Sequence, residues 1–369
     1  MLLFQGPRDQ LLQPLQAVSG IVDKRQTMAI LSNVLLEVDA GQLILLATDV
    51  EIQIRTTTVT SCTQPASLTV SARKLQDILR SLPETTEVRL ELENPRLQVR
   101  AGRSRFHLQT LPAENFPRMD EPSGVPTELT LTQGLFRRLL GLVQYAMAQQ
   151  DIRYYLNGLL LVIDGHEMRV VATDGHRLAF ASAALSADAA LPRIEVILPR
   201  KTVIELYRQL ADDHSALRVR VLPTQAMFRF GNVELITKLI DGKFPDYERV
   251  IPKQNDKVLE LESAPLLQSL QRVAILITDK MRCVRLVVTP GSLKIIASNA
   301  EQEEALEEIE TDYDGEVLDI GFNVGYLLDV LHNVPGERIR LLFADANSSA
   351  LIRQPDSERF LYVVMPMRI

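Results

Sequence analysis

Cysteine is almost missing from this chain: there are two in 369 residues, Cys62 and Cys283. They lie far apart and form no CxxC, which excludes a disulfide-stapled scaffold and predicts a reduced protein. Long apolar runs are absent too. None approaches the roughly 18 residues that span a bilayer. The opening "MLLFQGPRDQ" has no basic n-region and an apolar run too short for a signal peptide. A soluble, cytoplasmic chain with no membrane partner is expected. Also missing are the motifs of common chemistries: GxxxxGK followed by Ser or Thr, GxGxxG, GxSxG and HExxH. The five histidines, His107, His166, His176, His214 and His332, have no second His or Cys at ligand spacing. No metal and no cofactor is therefore expected. Positive charge is in deficit as well, with 40 Lys and Arg against 47 Asp and Glu and a net charge of −7. That balance argues against a protein whose whole surface binds nucleic acid.

What is present is an ordinary globular composition, 46% apolar and 24% charged, in a chain long enough for two or three domains. Three segments resemble one another: "GQLILLATDVEIQIRT" (41–56), "HEMRVVATDGHRLAFA" (166–181) and "GSLKIIASNAEQEEAL" (291–306). Their alanines, Ala47, Ala172 and Ala297, are 125 residues apart in both intervals.

The rest of the chain keeps the same register. Each third opens on an apolar stripe read as i, i+4, i+7, i+11. The stripes are Leu11, Leu15, Val18, Val22; then Leu135, Leu139, Leu142, Ala146; then Leu266, Leu270, Val273, Ile277. That spacing predicts three amphipathic helices. A strand follows each, "AILSNVLLEV", "YYLNGLLLVI" and "RCVRLVVTP". A second helix comes later, "SARKLQDILRSL", "PRKTVIELYRQL" and "NVGYLLDVLHNV". The Pro-bearing stretches "MDEPSGVPTE" and "RVIPKQNDK" sit where linkers belong. The expected organisation is an α+β fold of three copies of one domain, at 1–127, 128–256 and 257–369.

"VATDGHRLAF" (170–179) places Asp174 and His176 close together. They could form an acid/base pair or belong to a turn between strands. The other thirds carry Asp49 with Glu51 and Asn299 with Glu301 at these places. The Asp or Asn recurs, as a residue capping its own turn would, and the His does not. No catalytic residue is expected. Basic residues gather on the later helices: Arg73, Lys74 and Arg80, then Arg200, Lys201 and Arg208. They could be solvated helix faces or a common positive lining.

The stretches "HLQTLPAENFP", "QDIRYYLNG", "VATDGHRLA", "KLIDGKFPDY", "IGFNVGYLLDVL" and "YVVMPMRI", with the triplication, resemble the bacterial sliding clamp family, the beta subunits of DNA polymerase III. The resemblance implies a head-to-tail homodimer closed into a ring, with helices lining the hole and antiparallel sheets outside. Such a ring encircles duplex DNA without sequence preference, slides along it and catalyses nothing. It tethers the DNA polymerase III alpha subunit, the clamp loader and other DNA polymerases and repair proteins, which bind through short linear motifs.

The residues that the resemblance assigns to DNA are Arg25, Arg73, Arg80, Gln150, Tyr154, Tyr155, Arg200 and Lys201. Those it assigns to a partner-peptide pocket are Leu156, Thr173, Gly175, His176, Arg177, Leu178, Pro245, Arg249, Val250, Asn323, Tyr326, Ser349, Val364, Met365, Pro366, Met367 and Arg368. The dimer interface it implies pairs Lys74, Arg96, Arg103, Arg105, Phe106 and Leu108 with Ile275, Leu276, Glu301, Glu303 and Glu304. An enzyme using Asp174 and His176, and a peptide-binding scaffold that has left DNA behind, are the competing readings.

Overall fold

The computed structural model describes residues 1–22, 28–120, 124–186, 190–277 and 282–368. Within them one element string occurs three times: strand, helix, four strands, helix, three strands. The first copy holds β1 (Leu2–Pro7), α1 (Arg8–Ser19), β2 (Asn33–Asp39), β3 (Gln42–Thr48), β4 (Ile52–Val59), β5 (Ala66–Ser71), α2 (Ala72–Ser81), β6 (Glu87–Glu93), β7 (Arg96–Ala101) and β8 (Ser104–Leu111). The second holds β9 (Thr127–Thr132), α3 (Gln133–Val143), β10 (Gly158–Gly165), β11 (Glu167–Thr173), β12 (Arg177–Ala184), β13 (Leu191–Pro199), α4 (Arg200–Gln209), β14 (Ala216–Val221), β15 (Gln225–Phe230) and β16 (Val233–Lys238). The third holds β17 (Lys257–Glu262), α5 (Ser263–Val273), β18 (Cys283–Thr289), β19 (Ser292–Ser298), β20 (Glu304–Glu310), β21 (Leu318–Asn323), α6 (Val324–Asn333), β22 (Arg338–Phe343), β23 (Ala350–Arg353) and β24 (Phe360–Val364).

The helical stripes are buried as the spacing requires: Leu11, Leu15 and Val18 on α1, Leu139 and Leu142 on α3, and Leu266, Leu270 and Val273 on α5. The last residue of each stripe, Val22, Ala146 or Ile277, falls past the helix end. The later helices start where the sequence places a cap. Ser71 accepts a bond from the Lys74 N–H, and Asn323 from the Gly325 N–H. Two strand predictions need correction at their starts. Ala29–Ser32 and Tyr154–Leu156 are 3₁₀ turns. In the second case Asn157 binds back to both backbone groups of Asp151, at 2.9 and 2.8 Å. Those bonds hold Tyr154 and Tyr155 in a loop, outside the ladder.

The chain divides into two compact units. The first, Met1–Leu135 with Ile204–Leu239, holds a 12-stranded sheet in the order β1-β6-β7-β8-β5-β2-β3-β4-β16-β15-β14-β9. The second, Phe136–Val203 with Ile240–Ile369, holds an 8-stranded sheet, β13-β10-β11-β12-β24-β23-β22-β17, and a 4-stranded one, β20-β19-β18-β21. Among the described residues, the strand pairs within these sheets are antiparallel. Two sheets run across copy boundaries, because the fourth strand of one copy pairs with the eighth of the next: β4 with β16, and β12 with β24. The middle copy is therefore shared between the units.

Candidate functional site

The hairpin turns that carry the repeat motif are built alike. In β3–β4, Asp49 Oδ1 accepts the N–H groups of Glu51 and Ile52, both at 2.9 Å. In β11–β12, Asp174 Oδ1 accepts those of His176 at 2.9 Å and Arg177 at 3.1 Å. In β19–β20, Asn299 Oδ1 accepts those of Glu301 at 3.1 Å and Glu303 at 3.0 Å. Asp174 also pairs with the Arg177 guanidinium, Nε to Oδ2 at 3.0 Å. Its carboxylate is thus engaged in holding the turn, which removes the acid/base reading.

The second turn alone has glycine at its tip, Gly175, at φ +90°. A Cβ there would stand 3.0 Å from the Arg153 guanidinium. Arg153 lies over the turn, bonded to the Asp174 carbonyl at 3.2 Å and to Asp151. The hydrogen bond and charge of Arg153 lower the Asp151 carboxyl to about 2.

Beside this turn is a cavity of about 220 Å³. Its walls are Arg153, Tyr155 and Leu156 from the loop before β10; Thr173, Gly175, His176, Arg177 and Leu178 from the hairpin; Phe244, Pro245, Tyr247 and Val250 from the strap after β16; and Val363 and Met365 at the end of β24. That volume is below the roughly 300–1,000 Å³ of a whole-ligand site, so it suits a few apolar side chains of a larger partner. A wider cleft of about 750 Å³ lies beyond Tyr247, lined by Arg169, Arg353, Glu167 and Glu358 among others. Its charges face one another, Arg169 to Glu167 at 2.6 Å and Arg353 to Glu358 at 3.6 Å, so its apolar floor offers less to a peptide.

The repeat explains why the pocket opens at this join. In the first copy Gln53 stands where Leu178 stands in the second, each being the partner of the last β3 or β11 residue. The buried Gln53 side chain accepts the Met119 N–H at 2.9 Å and ties the following strap to the sheet. Leu178 has no such acceptor to offer.

Of the residues expected to line a pocket, Leu156, Thr173, Gly175, His176, Arg177, Leu178, Pro245, Val250 and Met365 come together here. The others do not touch this cavity. Asn323 caps α6. Tyr326 lies under the Arg177 guanidinium, 4.3 Å from its ring centre. Arg249 and Ser349 line a neighbouring cleft. Val364 is buried in β24, and Met367 donates its N–H to the Gly321 carbonyl at 2.8 Å. Pro366 and Arg368 flank that contact. Sequence reasoning missed Arg153, Phe244, Tyr247 and Val363, and gave Tyr155 another role. The stretches "QDIRYYLNG" and "KLIDGKFPDY" already pointed to most of them.

The residues expected at DNA are scattered along the chain. Arg25 lies outside the described residues. Arg73 and Arg80 are on the exposed face of α2, opposite Leu75 and Leu79, with Arg73 3.7 Å from Asp77. Gln150, at φ +56°, and Tyr154, 57% exposed, share the loop before β10. Arg200 at the start of α4 borders that loop, since its N–H bonds to the Asn157 carbonyl at 3.0 Å. Burial, then the charge of Arg177, lowers the Arg200 pKa. Lys201 follows on the same helix, half-buried.

The interface candidates fall in two regions of the chain. Arg96, Arg103, Arg105, Phe106 and Leu108 lie on and around β7–β8, and Lys74 is exposed on α2. Glu301, Glu303 and Glu304 lead into β20. Ile275, 79% exposed, and Leu276 sit in the turn after α5.

Comparison with known proteins bears on the chain as a whole. Three family models match in order: the N-terminal domain of the DNA polymerase III beta subunit over 2–120, the central domain over 130–246 and the C-terminal domain over 248–368. The beta sliding clamp of Pseudomonas aeruginosa is 45% identical over 370 residues, and that of Escherichia coli K12 is 46% identical over 367. Each alignment spans 99% of this chain and 100% of the relative. A crystal structure of the P. aeruginosa clamp bound to griselimycin superposes with a TM-score of 0.94 at 45% identity, covering all of both chains. With those matches over its full length, the chain belongs to the family of bacterial DNA polymerase III beta subunits and is a DNA sliding clamp, a processivity factor that catalyses no reaction.

Proposed function

We propose that the clamp is a head-to-tail homodimeric ring, closed by β20 of one copy against β8 of the next. One observation carries this reading. The fourth strand of each copy pairs with the eighth strand of the following copy, β4 with β16 and β12 with β24. Among the described residues β20 has no strand on its outer edge, and β8 has only β5 at Thr110 and Leu111. A third join of the same kind would satisfy both edges, and two such heterologous contacts close a ring.

The repeat also supplies the register. Ile54, Ala179 and Ala305 each lie opposite the recurring alanine of their hairpin. Ile54 pairs with Leu235 and Ala179 with Tyr362, each the third residue of its eighth strand. The third residue of β8 is Phe106. Ala305 therefore pairs with Phe106, Glu304 with His107 and Glu308 with Arg103. The apolar centre is Phe106, Leu108, Ile275 and Leu276, and the charges set orientation, since exposed ion pairs contribute little each.

Within the ring, the three domains span 1–127, 128–256 and 257–369, and their helices face duplex DNA. Arg25, Arg73, Arg80, Gln150, Tyr154, Tyr155, Arg200 and Lys201 contact phosphates without reading bases, which permits sliding. The cavity beside Gly175 holds short linear motifs of the DNA polymerase III alpha subunit, the clamp loader and other polymerases and repair proteins. Tethering there raises the local concentration of polymerase at the primer end. Griselimycin, bound to the relative's clamp in its crystal structure, is expected to occupy the same cavity. The protein works in the cytoplasm, on the chromosome.

The test uses paired cysteines. Phe106→Cys with Ala305→Cys should oxidise to a covalent dimer on a non-reducing gel, because facing strand residues meet disulfide geometry. The slipped pair, Phe106→Cys with Leu306→Cys, should not, since one residue of slip turns the side chain to the other face. Crosslinking by the slipped pair alone would overturn the register, and a strictly monomeric protein would overturn the ring.

A further inference from the structure

Arg177 stands on the cavity wall, and all three nitrogens of its guanidinium are engaged by protein acceptors. Nε donates to Asp174 at 3.0 Å and Nη2 to the Tyr145 carbonyl at 2.6 Å, while Nη1 donates to Asp329 on α6. The same group lies over the rings of Tyr326 and Tyr145. Its side chain is 10% exposed, while Asp329 is 43% exposed. Burial works against the charge, but Tyr362, Asp329 and Asp174 outweigh it and keep the pKa above the ordinary value.

The fold itself does not require this network. The residue equivalent to Arg177 in the first copy is Ile52, at the matching place opposite the eighth strand of the next copy. An acid recurs as the sixth residue of each later helix, as Asp77, Glu205 and Asp329. Asp77 pairs with Arg73 and Glu205 with Arg208, each on its own helix. Of the two acids with an earlier copy before them, Glu205 pairs on its own helix, whereas Asp329 reaches the β11–β12 hairpin of the preceding copy. A charged group buried as deeply as Arg177 is seldom better for stability than apolar packing, and its best-attested use is to specify one arrangement.

Building on the pocket reading above, we infer that Asp329, which does not line the cavity, is a positioning residue for it. Asp329 holds Arg177 so that the arginine stem and the Gly175–His176 turn form a fixed wall. The partner site then depends on α6 of the third copy as well as on the second copy. Three divergent bonds need a planar fork, so lysine cannot replace Arg177.

The test is a double-mutant cycle on the full-length protein, with griselimycin binding measured by calorimetry. Asp329→Asn and Arg177→Gln should each weaken binding by roughly 3- to 30-fold, the scale of residues that act through a neighbour. The double variant should bind no more weakly than Arg177→Gln, and Asp329→Glu should recover most of the loss. Should Arg177→Gln fail to fold, Asp329→Asn and its glutamate rescue decide alone, because that side chain is half in solvent. Wild-type affinity in Asp329→Asn, or losses that simply multiply in the double variant, would overturn the inference. Failure of the wild type to bind griselimycin would instead remove the pocket reading on which it rests.

Discussion

At the scale of single residues, the same side chain can serve a fold and a function in different copies. Asp49, Asp174 and Asn299 all cap their own turns. That requirement is local, and it is why the motif is legible three times. His176 has no counterpart, and its ring is exposed while its carbonyl accepts the Met365 N–H at 2.9 Å. His176→Ala keeps that backbone bond and deletes only a piece of cavity wall. It should weaken griselimycin by about 3- to 10-fold, in line with roughly 1 kcal/mol for a partly buried contact. Sedimentation should show an unchanged dimer. A lost dimer with intact ligand affinity would move His176 out of the pocket.

At the scale of elements, caps and periodicity do most of the specifying. The stripes on α1, α3 and α5 stand out because an amphipathic helix buries one face whatever its neighbours are. Strand starts are less legible. "YYLNGLLLVI" has the composition of a strand throughout, yet Tyr154–Leu156 turn, because Asn157 offers Asp151 two hydrogen bonds that no strand partner matches. Asn323 illustrates the difference between position and role. It was expected in the pocket, and it caps α6 through a 2.9 Å bond from the Gly325 N–H. Asn323→Ala should lower the urea midpoint by the equivalent of about 1 kcal/mol, leave griselimycin affinity within twofold, and be repaired by Asn323→Asp. A large loss of affinity at unchanged stability would return Asn323 to the site.

At the scale of the whole molecule, sheet continuity is the organising feature. Joins between fourth and eighth strands carry the sheets across copy boundaries, and among the described residues the fourth and eighth strands left without such a join, β20 and β8, carry opposite charge. Arg103 precedes β8 and Arg105 lies in it, while β20 reads EALEEIE. Ile275 beside that acidic edge is too exposed to be core. Ile275→Ala with Leu276→Ala should remove about 1.5–3 kcal/mol for each side chain that the closed ring fully buries. The expected results are monomers in sedimentation and loss of retention on circular duplex DNA through a high-salt wash. Wild-type clamp should survive the wash and come off when the circle is cut. An undiminished dimer in the double variant would relocate the interface.

The sequence by itself determined the threefold repeat, the helix stripes, the turn caps and the lack of any catalytic set. Each of these depends on contacts within a few residues or on a period the chain repeats. Tertiary structure alone decided which side chains meet around the cavity and which strand edges stay open. It also turned Arg177 inward to Asp329, 152 residues away along the chain. Contacts at that separation leave no periodic trace, because they depend on how one copy's sheet is continued by the next.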